Sequence, residues 1–266
     1  MIYLFAVAAP PRSGTMWFSR VLTTEHSFCY HELVTHLHPY PTNLVLGQWF
    51  QEQVTDSSYE LAQRRAILQC YPDYFARHWE RAIYGQYIVG NSDSYLVRYL
   101  PGLWLLWPDM RFIFSTRNGI NCVQSHYVKQ PEVPAIVRLL LQERYDTATD
   151  PFAACCHRWV TAIRGHTKSK TWLVEHGANC IETKFEKVTS DLNELHRLWD
   201  WLGIDKWDEH AERNARFMET PINPRMNIKK IVQPEETWRA WSPEQRKTFR
   251  EICGETMAQL GYPLPH

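Results

Sequence analysis

Short apolar runs alternate with longer stretches of helical periodicity along this chain. Residues 2–8, 87–90, 111–115 and 179–183 are apolar runs of strand length and read as buried strands. After the first run, Trp17, Val21 and Leu22 recur at helical spacing; after the third, Val123, Tyr127 and Val128 do so. Leu192, Leu195, Leu198, Trp199 and Leu202 draw a stronger stripe after the fourth, and Leu100, Leu103, Trp104 and Trp107 another after the second. Strands apolar throughout are buried on both faces, so strand–helix alternation predicts an α/β fold with a central parallel sheet flanked by helices. The last helix is the most clearly marked. Ser242 and Gln245 form a capping-box pattern, Pro243 takes the first helical position, Phe249, Ile252, Cys253 and Leu260 share a face, and Gly261 stops it.

Two segments interrupt the alternation. Residues 40–85 read as a helical insertion between the first and second strands, near the place where a second substrate would enter. Residues 220–237 carry three prolines and the basic residues Arg225, Lys229 and Lys230 without periodicity, and are a candidate flap. No repeat divides the chain, and 266 residues suit a single domain spanning 1–266.

Charge and cysteine content narrow the function. Lys plus Arg and Asp plus Glu number 29 each, so no broad field draws the protein to nucleic acid or an anionic membrane, and any anionic ligand must be held by a local cluster. Seven cysteines without CxxC spacing fit reduced thiols and a cytoplasmic location. Residues 1–10 lack the basic start of a secretory leader and read as the first strand, and no apolar stretch nears the roughly 20 residues of a membrane span. Twelve tryptophans and thirteen tyrosines fit either aromatic-lined grooves or an aromatic core.

The chemistry concentrates where strand ends meet helices, the usual ligand position of an open α/β sheet. Pro11-Arg12-Ser13-Gly14-Thr15-Met16-Trp17 lies between the first strand and its helix. There Gly14 lets the backbone wrap an anion, first-turn N–H groups point at it, and Arg12, Ser13 and Thr15 add donors. GxxxxGK[ST] is absent, and with it the Lys-Ser/Thr pair that holds a triphosphate and magnesium. Arg117 closes the third strand and Ser125 follows eight residues later, two helical turns on, where a guanidinium and a hydroxyl can meet on one phosphate.

These segments resemble the sulfotransferases that use 3′-phosphoadenosine 5′-phosphosulfate (PAPS), a P-loop NTPase-like fold. Arg12, Ser13, Gly14, Thr15, Met16 and Trp17 match the family's 5′-phosphosulfate loop, and Arg117 with Ser125 its 3′-phosphate segment. Phe185 and Glu186 stand at its Tyr-Glu positions, leaving Phe185 either near the adenine or in the core; Trp238-Arg239 and Ser242-Pro243-Glu244-Gln245 are similar to the ending of bacterial-type members. The resemblance implies PAPS as sulfuryl donor, no metal, and Arg12 beside the leaving oxygen. Arg rather than Lys there points to the bacterial and carbohydrate-type subgroup. Arg225, in the flap, becomes a candidate 3′-phosphate contact. The acceptor is a small molecule, lipid or glycan carrying a hydroxyl or amine, and the protein a monomer or homodimer.

A general base is also required, and three side chains are candidates: Glu32, where several sulfotransferase subgroups carry a catalytic Glu; His31 beside it; and Asp93 after the second strand. A small-molecule P-loop kinase, disfavoured by the missing Lys-Ser/Thr pair, and a non-catalytic nucleotide-binding protein of the same fold remain as alternatives. His31 and His36 are five residues apart and diverge on a helix, so a zinc-protease reading is set aside; Cys155-Cys156-His157 reads as core thiols beside a surface histidine.

Overall fold

Side-chain alternation along the first strand divides the core into two faces. The computed structural model describes residues 3–33, 80–94, 96–98, 100–129, 150–204 and 232–265. In chain order its elements are β1 (Tyr3–Ala8), α1 (Thr15–Val21), β2 (Ser27–His31), β3 (Ile88–Asp93), α2 (Leu100–Leu106), β4 (Arg111–Thr116), α3 (Gly119–Val128), α4 (Pro151–Glu175), β5 (Asn179–Lys184), α5 (Phe185–Val188), α6 (Leu192–Leu202), α7 (Pro234–Ala240) and α8 (Pro243–Gln259). The strands form one sheet in the order β2-β3-β1-β4-β5, and every pairing is parallel. Leu4, Ala6 and Ala8 of β1 point to one face, where they meet Phe112, Phe114, Leu100, Leu103 and Leu173. Phe5 and Val7 point to the other, against Ile113, Trp17, Phe18, Val21, Leu195 and Leu198. The strand is therefore sandwiched, which is why its sequence is apolar throughout.

A third cluster stands apart from the strands. Ile120 and Val123 of α3, Cys156, Trp159 and Ile163 of α4, Trp238 of α7, and Phe249, Cys253 and Met257 of α8 bury one another. Gly119 opens α3 directly against Trp159, where an added Cβ would approach the ring to 2.6 Å. The capping box at Ser242 and Gln245 forms as its sequence predicts, with bonds of 3.2 and 3.0 Å.

The structure corrects the sequence reading in four places. β2 was not foreseen: it is a short edge strand, and its five residues include Ser27 and His31 rather than an apolar run. β3 runs on through Asn91, Ser92 and Asp93, which are buried between β1 and β2. Tyr127 and Val128 face solvent, so of the residues read as that helix's stripe only Val123 is core. The last four residues of the 220–237 segment begin α7, and Asn121 fastens its approach by donating to the Val232 carbonyl (2.9 Å) and accepting from Thr237 (3.2 Å). The rest of that segment, with Arg225, Lys229 and Lys230, lies outside the described residues, as does nearly all of 40–85. No helix among the described residues is long and apolar enough to cross a membrane.

Candidate active site

The carboxyl ends of β1 and β4 lie side by side, so the turns that leave them share one space. After β1 the chain makes a tight reversal: Ser13 N–H donates to the Pro10 carbonyl at 3.0 Å, and Arg12 and Gly14 both take left-handed backbone, at φ 68° and 90°. For Arg12 this conformation is uncommon and costs of order 1 kcal/mol or more. For Gly14 it is joined by a steric demand, since a Cβ there would fall 2.0 Å from the Phe185 ring. Phe185, fully buried and edge-on to Trp17, thus props the turn from below. It is a core aromatic, the second of its two sequence readings, and has no exposed face to offer a base.

Three contacts bind this turn to the β4–α3 connection. Arg12 Nε donates to Ser125 Oγ at 2.9 Å, Arg117 Nη1 donates to the Arg12 carbonyl at 2.8 Å, and the Arg117 guanidinium lies 5.1 Å above the Phe185 ring. Arg117 and Ser125, 8 positions apart in sequence, therefore converge on Arg12. Burial, and after it the neighbouring Arg117 guanidinium, lower the Arg12 pKa. Neither guanidinium has a carboxylate within ion-pair distance among the described residues.

Unsatisfied polar atoms gather at the same end of the sheet. Asn91 Nδ2, Ser92 Oγ, Ser115 Oγ, Arg117 Nε and His126 Nε2 are buried without a hydrogen-bond partner among the described residues. Each such group costs about 1–3 kcal/mol unless something completes it. His126 was missed in sequence, although it directly follows Ser125. It is held neutral, its pKa well below the usual histidine value, by burial and then by Arg158 and Arg12. Arg158 of α4, within electrostatic reach of both Arg12 and His126, was missed as well, although it directly follows the Cys155-Cys156-His157 run.

On the other flank, β2 delivers His31 and Glu32 to the same turn. His31 Nε2 shares a hydrogen bond of 3.2 Å with Thr15 Oγ1 and stands 3.8 Å from Glu32 Oε1. Glu32 takes left-handed backbone (φ 52°), held there by its own N–H on the Ser92 carbonyl at 3.0 Å. Both side chains keep about a third of their surface or less, 26% for His31 and 34% for Glu32. Asp93, the third candidate base, is fully buried in register with Ala8. The Ser13 hydroxyl turns inward to Cys122 Sγ at 3.5 Å, and Trp17 is core, so neither side chain reaches the open side of the turn. Thr15, His31, Glu32, Arg12, Arg117 and Ser125 are the predicted residues that the fold brings together, with Met16 half-buried in the first turn of α1.

A family model described as "Sulfotransferase family" matches residues 5–209, a span that contains every one of these residues. The chain belongs to the sulfotransferase family. Solved structures of similar architecture include the sulfotransferase domain from the curacin biosynthetic pathway, 15% identical with a TM-score of 0.54 and 99% of each chain covered. The sulfotransferase domain of the Synechococcus PCC 7002 olefin synthase is 16% identical with a TM-score of 0.54, over 100% of this chain and 96% of that one. A sulfotransferase from Alicyclobacillus acidocaldarius is 12% identical with a TM-score of 0.50, over 99% and 97%. At these identities the likeness speaks for the sulfotransferase fold, while membership in the family makes sulfuryl transfer its general chemistry. No curated protein matches the chain.

Proposed function

We propose that this sulfotransferase takes PAPS as donor and transfers its sulfuryl group in line to a hydroxyl or amine of a small molecule, lipid or glycan. One observation carries the reading: two neighbouring guanidiniums, Arg12 bonded to the Ser125 hydroxyl and Arg117 to the Arg12 carbonyl, have no carboxylate within ion-pair distance among the described residues. Cations held together without counter-charge stand ready for an anion. The donor supplies the activated sulfuryl group. Arg117 and Ser125 would take the 3′-phosphate, with the orphaned Arg117 Nε as a further donor. Arg12 and the first-turn amides of Gly14, Thr15 and Met16 would face the 5′ end, stabilising the negative charge that grows on the leaving phosphate oxygen. Arg225 would add a 3′-phosphate contact from the flap.

On the opposite side, Glu32 is the base. Its carboxylate accepts the acceptor's proton as the new bond to sulfur forms, while the electron pair of the old sulfur–oxygen bond leaves on the phosphate oxygen beside Arg12. His31, between Thr15 and Glu32, links the base to the phosphate turn and can itself hold the proton. Buried Asp93 is set aside in favour of these two. We place the reaction in the cytoplasm, consistent with free thiols at all six described cysteines.

Calorimetry with adenosine 3′,5′-bisphosphate against ATP plus magnesium tests the donor site; binding of ATP in preference would overturn it. A screen with radiolabelled PAPS over phenols, sterols, glycans and small alcohols identifies the acceptor. On that acceptor Glu32→Gln is expected to keep nucleotide affinity and lose about 10²–10⁴-fold in turnover, and undiminished turnover removes Glu32 from the mechanism.

A further inference from the structure

Arg117 is followed by Asn118, whose backbone is held by a pair of side chains from elsewhere in the chain. Glu186 Oε1 accepts the Asn118 backbone N–H at 2.8 Å, and Glu186 Oε2 accepts the Tyr262 hydroxyl at 2.9 Å. Thr116, on the other side of Arg117, neighbours the Tyr262 hydroxyl. The result is a relay from Tyr262 through Glu186 to Asn118, the residue that follows Arg117. Tyr262 is buried and comes from the tail that follows α8, where Gly261 adopts left-handed backbone and Lys184 Nζ lies 4.3 Å over the Tyr262 ring.

The relay bears on charge as well as position. Glu186 follows Phe185, whose ring lies under the Arg117 guanidinium, so its carboxylate is a neighbour of the proposed 3′-phosphate site. Both of its oxygens are committed to neutral donors, and Arg117 Nε is buried with no partner among the described residues. A carboxylate bonded to that Nε would occupy the position a phosphate oxygen needs, and charge-assisted pairing would favour it.

Building on the donor reading above, we propose that Tyr262 is a positioning residue for nucleotide specificity: by engaging Glu186 it keeps that carboxylate off Arg117 and holds the guanidinium open for the 3′-phosphate. Neither Tyr262 nor Glu186 touches the donor; both act through Arg117. Removing the tyrosine hydroxyl frees one Glu186 oxygen, which turns to Arg117 Nε and competes with the ligand. Replacing Glu186 by glutamine in the same background removes the competing charge.

The experiment measures Kd for adenosine 3′,5′-bisphosphate and for adenosine 5′-phosphate, in the wild type, Tyr262→Phe, Glu186→Gln and the double variant. The ratio of the two constants reads the 3′-phosphate alone. Tyr262→Phe is expected to lower that ratio about tenfold, the order of one charge-assisted hydrogen bond, and the double variant to restore it to within about threefold of the wild type. If Tyr262→Phe weakens both nucleotides equally, or the double variant stays as poor as the single, the tyrosine is only structural and the inference fails. A wild-type ratio near one overturns instead the donor reading on which it rests. Should Tyr262→Phe not fold, Glu186→Gln alone keeps the question open to test: a ratio within about threefold of the wild type fits a carboxylate that has to be held away, and a collapsed ratio overturns the inference.

Discussion

Two charged clusters flank β4 and β5, and they are built in opposite ways. At the start of α6, Glu194 is 4% exposed yet surrounded by donors: Arg197 Nη2 at 2.7 Å, Thr183 Oγ1 at 2.8 Å and Lys187 Nζ at 3.0 Å. The Arg197 hydrogen bond, ahead of those from Thr183 and Lys187, brings its pKa down to about 2 against the cost of burial. Every charge there has its complement within the chain. At the β1–α1 turn the reverse holds: Arg12 and Arg117 sit together with no ion-paired carboxylate, beside polar atoms with no partner among the described residues. A closed cluster stabilises the fold, whereas an unbalanced one leaves the fold with a cost that a bound anion can offset.

That contrast is open to direct attack. The largest effect is expected from Arg12→Ala, which should cut turnover by about 10²–10³-fold while leaving the melting temperature unchanged or slightly raised, since it relieves repulsion from Arg117. A marked loss of stability would mean that the arginines belong to the scaffold. Next comes Gly14→Ala, where left-handed backbone and the Phe185 ring act together; about 3 kcal/mol should be lost in denaturant unfolding, and a neutral outcome would show that the turn tolerates another shape. The smallest is Glu194→Gln, costing about 1–2 kcal/mol because its cationic partners are half-exposed and screened, with turnover intact. Its sign with pH is fixed: a carboxyl depressed from 4.5 to about 2 contributes its stability above pH 4.5 and loses it as pH falls through 2. Acid titration of unfolding should therefore be shallower in the variant, and identical curves would deny Glu194 its role.

The pieces of the site were legible wherever function and local backbone chemistry coincide. Gly14 after an apolar strand, and Arg117 eight residues ahead of Ser125, are local patterns, and the fold placed them together. β2 escaped notice because an edge strand of five residues needs only one buried side, so Ser27 and His31 interrupt no pattern that a short window can register. For Phe185 both readings stood open until its ring was found under Gly14, 171 positions away in sequence.

What the sequence determined by itself, then, was the alternation of buried strands and striped helices, the capped ends of α8, and the chemical inventory of the turns, all set by side-chain periodicity and backbone preference over a few residues. Only the tertiary structure decided which inventory was spent and which was left over. Ser13, Asp93 and Phe185 went into the interior, while Arg12 and Arg117 were left with no ion-paired carboxylate among the described residues, because satisfaction of a buried group depends on neighbours that arrive from distant parts of the chain.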